Sequence, residues 1–166
     1  MLSNAKSRGE FVDMKNLVVV DIDGTLSDAS ERAAKYLSKE PKDWDGFYAA
    51  CGEDKPIREI VDLVCALSDH YEIVLCTGRR RSTNDATRKW LGDNMTKHRS
   101  AFGLPILYRR DGDTRHDTIV KPELLDEYLR QHPDYKVAFI LEDRNSMVAK
   151  WRELGYTCLQ VAEGDF

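Results

Sequence analysis

The sequence has no apolar run near the roughly 18 residues that a membrane span needs, so no membrane partner is expected. Nor do its first residues form a secretory signal. Residues Met1 to Lys15 are polar and mixed in charge, which predicts a flexible N-terminal segment over 1–15. Cysteine is sparse: Cys51, Cys65, Cys76 and Cys158 include no CxxC pair, and three of them sit in apolar segments. They read as buried free thiols, which points to a reducing, cytoplasmic setting. No Cys/His spacing suggests a zinc centre. No repeat or low-complexity tract is present, and the absence of a GxxxxGK[ST] loop excludes P-loop kinase chemistry from this chain.

What is present fits one folded domain with a small insertion: 166 residues, 42% of them hydrophobic. The segment Leu17-Val18-Val19-Val20 is continuously apolar and β-branched, as in a strand buried on both faces. A short helix is predicted over Ser30 to Ser38, and Pro41 to Gly52 is aromatic and turn-rich. Pro56 is expected to open a helix running to about Asp69, with Ile57, Ile60, Val61, Val64 and Leu67 on one face. Tyr71 to Cys76, Ile106 to Tyr108, Val137 to Leu141 and Thr157 to Val161 read as further strands. Helices are predicted over Asn84 to Asn94, Pro122 to Gln131 and Arg144 to Leu154, the last stopped by Gly155. Strands alternating with helices imply an α/β fold: a parallel sheet with helices on both faces. In such sheets the reactive site lies beyond the carboxyl ends of the strands.

The formal net charge is −4, unevenly spread. Between Arg79 and His116 there are ten Lys/Arg and four acids, a surplus of +6 that leaves −10 for the remainder. A basic segment in an acidic chain suggests a polyanionic partner.

Three strand ends carry related chemistry. Asp21-Ile22-Asp23-Gly24-Thr25 follows the first strand, Thr77-Gly78-Arg79 the second, and Glu142-Asp143 the fourth. Four carboxylates converging there would repel one another, and a divalent cation removes the conflict. An all-oxygen donor set favours magnesium over zinc.

These motifs resemble the haloacid-dehalogenase-like phosphatase superfamily. Asp21-Ile-Asp23-Gly-Thr25 matches its DxDGT signature. Thr77 stands where its second motif has Ser or Thr, Lys121 is the candidate third-motif lysine, and Glu142-Asp143 the acidic fourth motif. The resemblance implies a Rossmann-like three-layer α/β/α core over residues 16–166. It also implies Mg2+, and phosphoryl transfer through an aspartyl phosphate. The C-terminal half further resembles the 3′-phosphatase domains of phage-type polynucleotide kinase–phosphatases, an end-healing family. The carrying segments are Asp111-Gly-Asp-Thr-Arg115, Asp117, Lys121, Glu142-Asp-Arg144, Trp151-Arg152 and Gln160-Val-Ala-Glu-Gly-Asp-Phe166. Arg32, eleven residues after Asp21, matches an active-site arginine of that family in spacing. Glu142 departs from the pattern, standing where the family has aspartate.

The resemblance assigns roles residue by residue. Asp21 is the nucleophile. Asp23 protonates the departing sugar oxygen and later deprotonates water. Magnesium is held by Asp21, Asp143, the Asp23 backbone carbonyl and, less directly, Glu142. Thr77 and Lys121 contact the transferring phosphoryl oxygens. Arg32, Gly78 and Arg79 contact substrate phosphate, and Asp117 orients Lys121 from one helical turn away. A small helical cap is expected within 29–55, too short for a lid, leaving a site open to a polynucleotide end. Trp44, Phe47 and Tyr48 there either pack the cap or stack on a terminal base. Three classes follow. The first is a 3′-phosphatase of DNA or RNA ends, with a kinase or ligase as possible companion. The second is a nucleotidase for free mononucleotides, and the third a non-catalytic nucleic-acid-binding module. The intact acid set argues against the last.

Overall fold

The computed structural model describes residues 14–38, 40–96 and 103–164. The expected flexible segment therefore lies outside the described residues up to Asp13, as do Lys97 and Arg99 of the basic stretch and the terminal Asp165-Phe166.

A five-stranded, wholly parallel sheet forms the centre. Its strands are β1 (Lys15–Val20), β4 (Glu72–Arg80), β5 (Ile106–Arg109), β6 (Tyr135–Arg144) and β7 (Cys158–Gly164), in the order β5-β4-β1-β6-β7. β1 is central because Leu17 to Val20 offer apolar side chains to both faces. Val18 and Val20 point into one core layer against α3 (Arg58–Leu67) and α4 (Asn84–Asn94). Leu17 and Val19 point into the opposite layer against α5 (Asp117–Gln131) and α6 (Asn145–Glu153). This is the three-layer α/β/α arrangement expected. The chain winds from β1 outward to β5, then crosses back to β6, so the winding direction reverses beside β1. Ligand crevices form at such a reversal.

Between β2 (Ser27–Asp28) and β3 (Lys55–Pro56), which pair antiparallel, lie two short helices, α1 (Ser30–Tyr36) and α2 (Trp44–Ala49). The aromatic segment is thus a helix rather than a set of turns. Asp43 caps it by accepting from the Gly46 N–H at 2.8 Å.

Several boundaries differ from expectation: β6 runs on through Glu142-Asp143 to Arg144 and β7 to Gly164, and three others have visible causes. Pro56 belongs to β3 instead of opening α3, because the Ile57 N–H is committed to the Leu26 carbonyl at 2.8 Å and the chain stays extended. α5 starts at Asp117, with His116 as its N-cap, five residues before Pro122. Pro122 is therefore interior, where it forgoes one main-chain bond. β4 continues through Thr77-Gly78-Arg79, because its outer neighbour β5 pairs on as far as Arg80 and Arg109. All four cysteines are buried and free, and burial pushes the Cys76 thiol well above its usual range. No helix among the described residues is long and apolar enough to cross a membrane.

Candidate active site

Asp21 is the first residue past β1 and is buried; its N–H donates to the Leu141 carbonyl of β6 at 3.0 Å. The chain then turns sharply. The Ile22 carbonyl accepts from Leu26 (2.8 Å) and Ser27 (2.9 Å), and the Gly24 N–H donates to Ser27 (2.8 Å). Gly24 has φ +87°, a left-handed conformation that side chains resist. Thr25 turns its hydroxyl toward Asp143, donating to Oδ1 at 3.3 Å. The DxDGT pattern is therefore a turn that delivers two carboxylates and grips a third from another strand.

Lys121, carried on α5 and 4% exposed, donates to Asp21 Oδ1 (2.6 Å) and Glu142 Oε2 (2.8 Å). Burial works against its charge, but Asp21 and Glu142 outweigh this and hold the ammonium well above its usual range. Glu142 Oε1 receives the Asp143 and Arg144 N–H groups at 3.3 and 3.4 Å. In this arrangement Glu142 holds Lys121 and its own turn.

Ligand oxygens of Asp21, Glu142 and Asp143 lie within 4.8 Å of one another, all buried. Burial pushes the Asp21 carboxyl well up, and Glu142 adds to it against Lys121. Asp143 is pushed up to about 6 by burial and then by Glu142. Carboxylates that resist ionising together, offering only oxygen, fit a hard divalent cation such as magnesium.

Asp23 faces the other way. Arg79 contacts it through Nε (3.0 Å) and Nη2 (2.7 Å), and Arg32 through Nη2 (2.5 Å). Burial alone would raise its pKa, but Arg79 and then Arg32 hold the carboxyl far below the usual range. Arg79 is 0% exposed and also reaches Ser27 and Thr87, while Arg32 forms a two-pronged pair with Asp54 at 2.9 and 2.8 Å. Both guanidiniums are thus occupied by Asp23 and Asp54, where the motif reading has them on substrate phosphate.

Asp117 is hydrogen-bonded by Arg109 and by Arg144 Nη1 (2.8 Å), and it acts on Lys121 through charge. Gly78 permits this packing, since a Cβ there would fall 2.8 Å from Asp117 Oδ1. Thr77 is fully buried, and its Oγ1 accepts from the Arg79 N–H at 3.1 Å. Asp54 lies in a segment with no pattern and is not among the expected site residues; Arg109 enters the sequence reading only through the basic stretch, and Arg144 only within the Glu142-Asp-Arg144 segment, without a role. The basic stretch is likewise largely neutralised by folding. Arg79, Arg80, Lys89, Arg109, Arg110 and Arg115 pair with Asp23, Asp45, Asp93, Asp117, Glu127 and Glu123.

Comparison with known proteins agrees with this geometry. The family described as the polynucleotide kinase PNKP phosphatase domain matches residues 15–166. Among solved structures, one of the Pnkp1/Rnl/Hen1 RNA repair complex is similar at TM-score 0.73 and 28% identity, covering 92% of this chain and 44% of that one. A second structure of the Pnkp1/Rnl/Hen1 complex gives TM-score 0.71 at 28% identity, covering 92% and 48%. The chain thus spans under half the length of those matched chains. A haloacid-dehalogenase-like hydrolase of Streptococcus pneumoniae shares the fold at TM-score 0.61 and 16% identity, covering 89% of this chain and 84% of that one.

Proposed function

The chain belongs to the family of the polynucleotide kinase PNKP phosphatase domain, a phosphatase of the haloacid-dehalogenase type, and from that premise we propose that it removes 3′-phosphates from DNA or RNA ends through an aspartyl-phosphate on Asp21. The observation that carries this is the convergence of Lys121, Glu142 and Asp143 on Asp21 at the end of the central strand. Asp21 is the attacking carboxylate, and Lys121 fixes the orientation of its Oδ1. Asp23, held ionised by Arg79 and Arg32, must first take up a proton as the substrate phosphate draws those guanidiniums away; it then gives that proton to the departing sugar oxygen and takes one back from the incoming water. Asp21 and Asp143 would hold Mg2+, with Glu142 beside them. The cation, when bound, screens the nucleophile from a negative substrate. The β1–β4 pairing ends at Val20 and Leu75, so Asp21 and Thr77 both follow it at the same edge of the sheet, where Thr77 would meet the phosphoryl oxygens.

A nucleic-acid end as substrate is supported by the family and by the matched RNA repair complex. That complex also supports co-assembly with other end-processing chains. The test is hydrolysis of a 3′-phosphorylated oligonucleotide, its 5′-phosphorylated counterpart and a 3′-mononucleotide, in magnesium and after chelation. The 3′-end should turn over fastest and only with metal. A 3′-end carrying labelled phosphate should leave an alkali-labile label on the protein that Asp21→Asn abolishes. Faster hydrolysis of the 5′-end or the mononucleotide would make the protein a nucleotidase.

A further inference from the structure

The three aromatics of α2 have separate fates. Phe47 is 9% exposed, and its ring centroid lies 4.0 Å from the Arg32 guanidinium carbon, so it packs the inner side. Trp44 is 41% exposed, whereas Trp90 and Trp151 are 2% and 1% exposed. The Trp44 ring lies 6.2 Å from that of Tyr48, with 30° between their planes. The Tyr48 hydroxyl in turn donates to the Gly78 carbonyl at 3.4 Å, inside the Thr77-Gly78-Arg79 segment bordering the phosphate site. An aromatic ladder therefore leads outward from that segment to solvent. Cations flank it: the Arg80 guanidinium lies 4.7 Å from the Tyr48 ring centroid, steadied by Asp45 at 2.6 Å, and Lys42 Nζ is 6.0 Å from the Trp44 ring. A cleft of about 330 Å³, lined by Asp45, Tyr48, Arg80 and Thr83 among others, opens beside Tyr48. Trp44 packs edge-on against Phe47 at 5.9 Å between centroids, and that contact still leaves much of the indole open to solvent.

We propose that Trp44 and Tyr48 form a stacking platform for the base of the 3′-terminal nucleotide whose phosphate reacts at Asp21. This deepens the proposed function and rests on it. In that nucleotide only a sugar separates base from reacting phosphate, and only Tyr48 separates the Gly78 carbonyl from the exposed indole. Stacking tolerates every base, as an end-processing site requires. Lys42 supplies positive charge beside the platform for the adjoining backbone phosphate, and Arg80 would reach it by exchanging its contact with Asp45.

The experiment compares kcat/KM for 3′-phosphorylated oligonucleotides whose terminal sugar bears either a base or a tetrahydrofuran abasic analogue. The wild-type chain should prefer the base-bearing end about tenfold, the scale of one stacked base. Trp44→Ala should treat the two alike, and Trp44→Phe, which keeps a ring, should regain most of the preference. A wild type indifferent to the base, or a preference unchanged in Trp44→Ala, overturns the platform. A second readout needs no turnover: a 3′-hydroxyl oligonucleotide should quench emission from the exposed Trp44, and Trp44→Phe should lose that quench. Quenching without 3′-phosphatase turnover counts for the platform and against the proposed function; turnover without quenching overturns the platform alone.

Discussion

A Cβ on Gly24 would fall 2.1 Å from Oδ2 of Asp143, so the turn after β1 closes directly onto the acid delivered by β6. Gly164 approaches the same oxygen from β7, where a Cβ would lie 2.8 Å away. The Asp143 carboxylate thus sits in a slot between two glycine backbones, which is the physical content of the motif glycine Gly24 and of Gly164.

Gly24→Ala should therefore be doubly harmful. The positive φ costs about 1 kcal/mol or more for a side chain, and the methyl must displace Asp143. We expect at least a hundredfold loss of turnover together with a weakened stabilisation by magnesium. Thermal melts with and without the metal, alongside activity, check this; wild-type turnover in the variant would refute the closeness of the slot.

Lys121 neutralises two buried carboxylates, Asp21 and Glu142, from a nearly inaccessible position. Removing one partner of a buried ionic group commonly costs about 3–5 kcal/mol, because the charge left behind is uncompensated. Lys121→Met should be destabilised on that scale and inactive. Adding Glu142→Gln should recover much of the stability and none of the activity. Denaturant unfolding of the single and double variants measures the coupling, and additive effects would show that Glu142 and Lys121 act independently.

The parts of the site legible in the sequence are those carried by single strand ends. Asp21, Asp23, Thr77 and Asp143 each follow an apolar run, and strand ends of a parallel sheet meet on one edge whatever the packing details. The partners of the arginines were not legible. Arg79 reaches Asp23 across 56 positions of sequence, and Arg32 reaches Asp54 across 22; no local pattern encodes such pairs. The same reason defeats charge counting, since the acids that neutralise the basic stretch come mostly from other segments. The helix starts failed on smaller grounds. His116 is an unusual cap, and Pro122 looked like a first-turn residue although the fold tolerates it inside α5.

Asp143 also predicts a pH dependence of metal-free stability. Its carboxyl is pushed up to about 6 in the fold from 3.8, so the native state holds its proton more tightly than the unfolded chain. That contribution is full below about pH 4 and is lost as pH rises through 6, amounting at most to about 3 kcal/mol. Chelated protein should thus become less stable from pH 4.5 to 7, while the stabilisation added by magnesium grows over the same interval. Melting temperatures in both conditions test this, with Asp143→Asn expected to show a shallower slope, the remainder coming from Asp21, whose carboxyl is also pushed up. A magnesium effect independent of pH would remove Asp143 from the cation site.

The last prediction concerns Arg79, whose guanidinium spans Asp23, Ser27 and Thr87 at once while wholly buried. A lysine can place one charge near Asp23 but cannot reproduce the planar fork. In Arg79→Lys, Asp23 should keep its charge and lose its fixed orientation. If Asp23 moves the proton to the leaving oxygen, the damage depends on how badly that oxygen needs one. A sugar hydroxyl needs it; a nitrophenolate does not. Arg79→Lys should therefore slow hydrolysis of a 3′-phosphorylated oligonucleotide about a hundredfold, the lower end of what positioned proton transfer contributes. Hydrolysis of p-nitrophenyl phosphate should fall less than tenfold. Asp54→Asn should show the same selectivity more weakly, since it acts on Asp23 only through Arg32 and a 3.5 Å contact to Arg79. Equal losses on both substrates would mean that the arginines serve folding alone, or reach the phosphate common to both, and would take Asp23 out of the proton transfer.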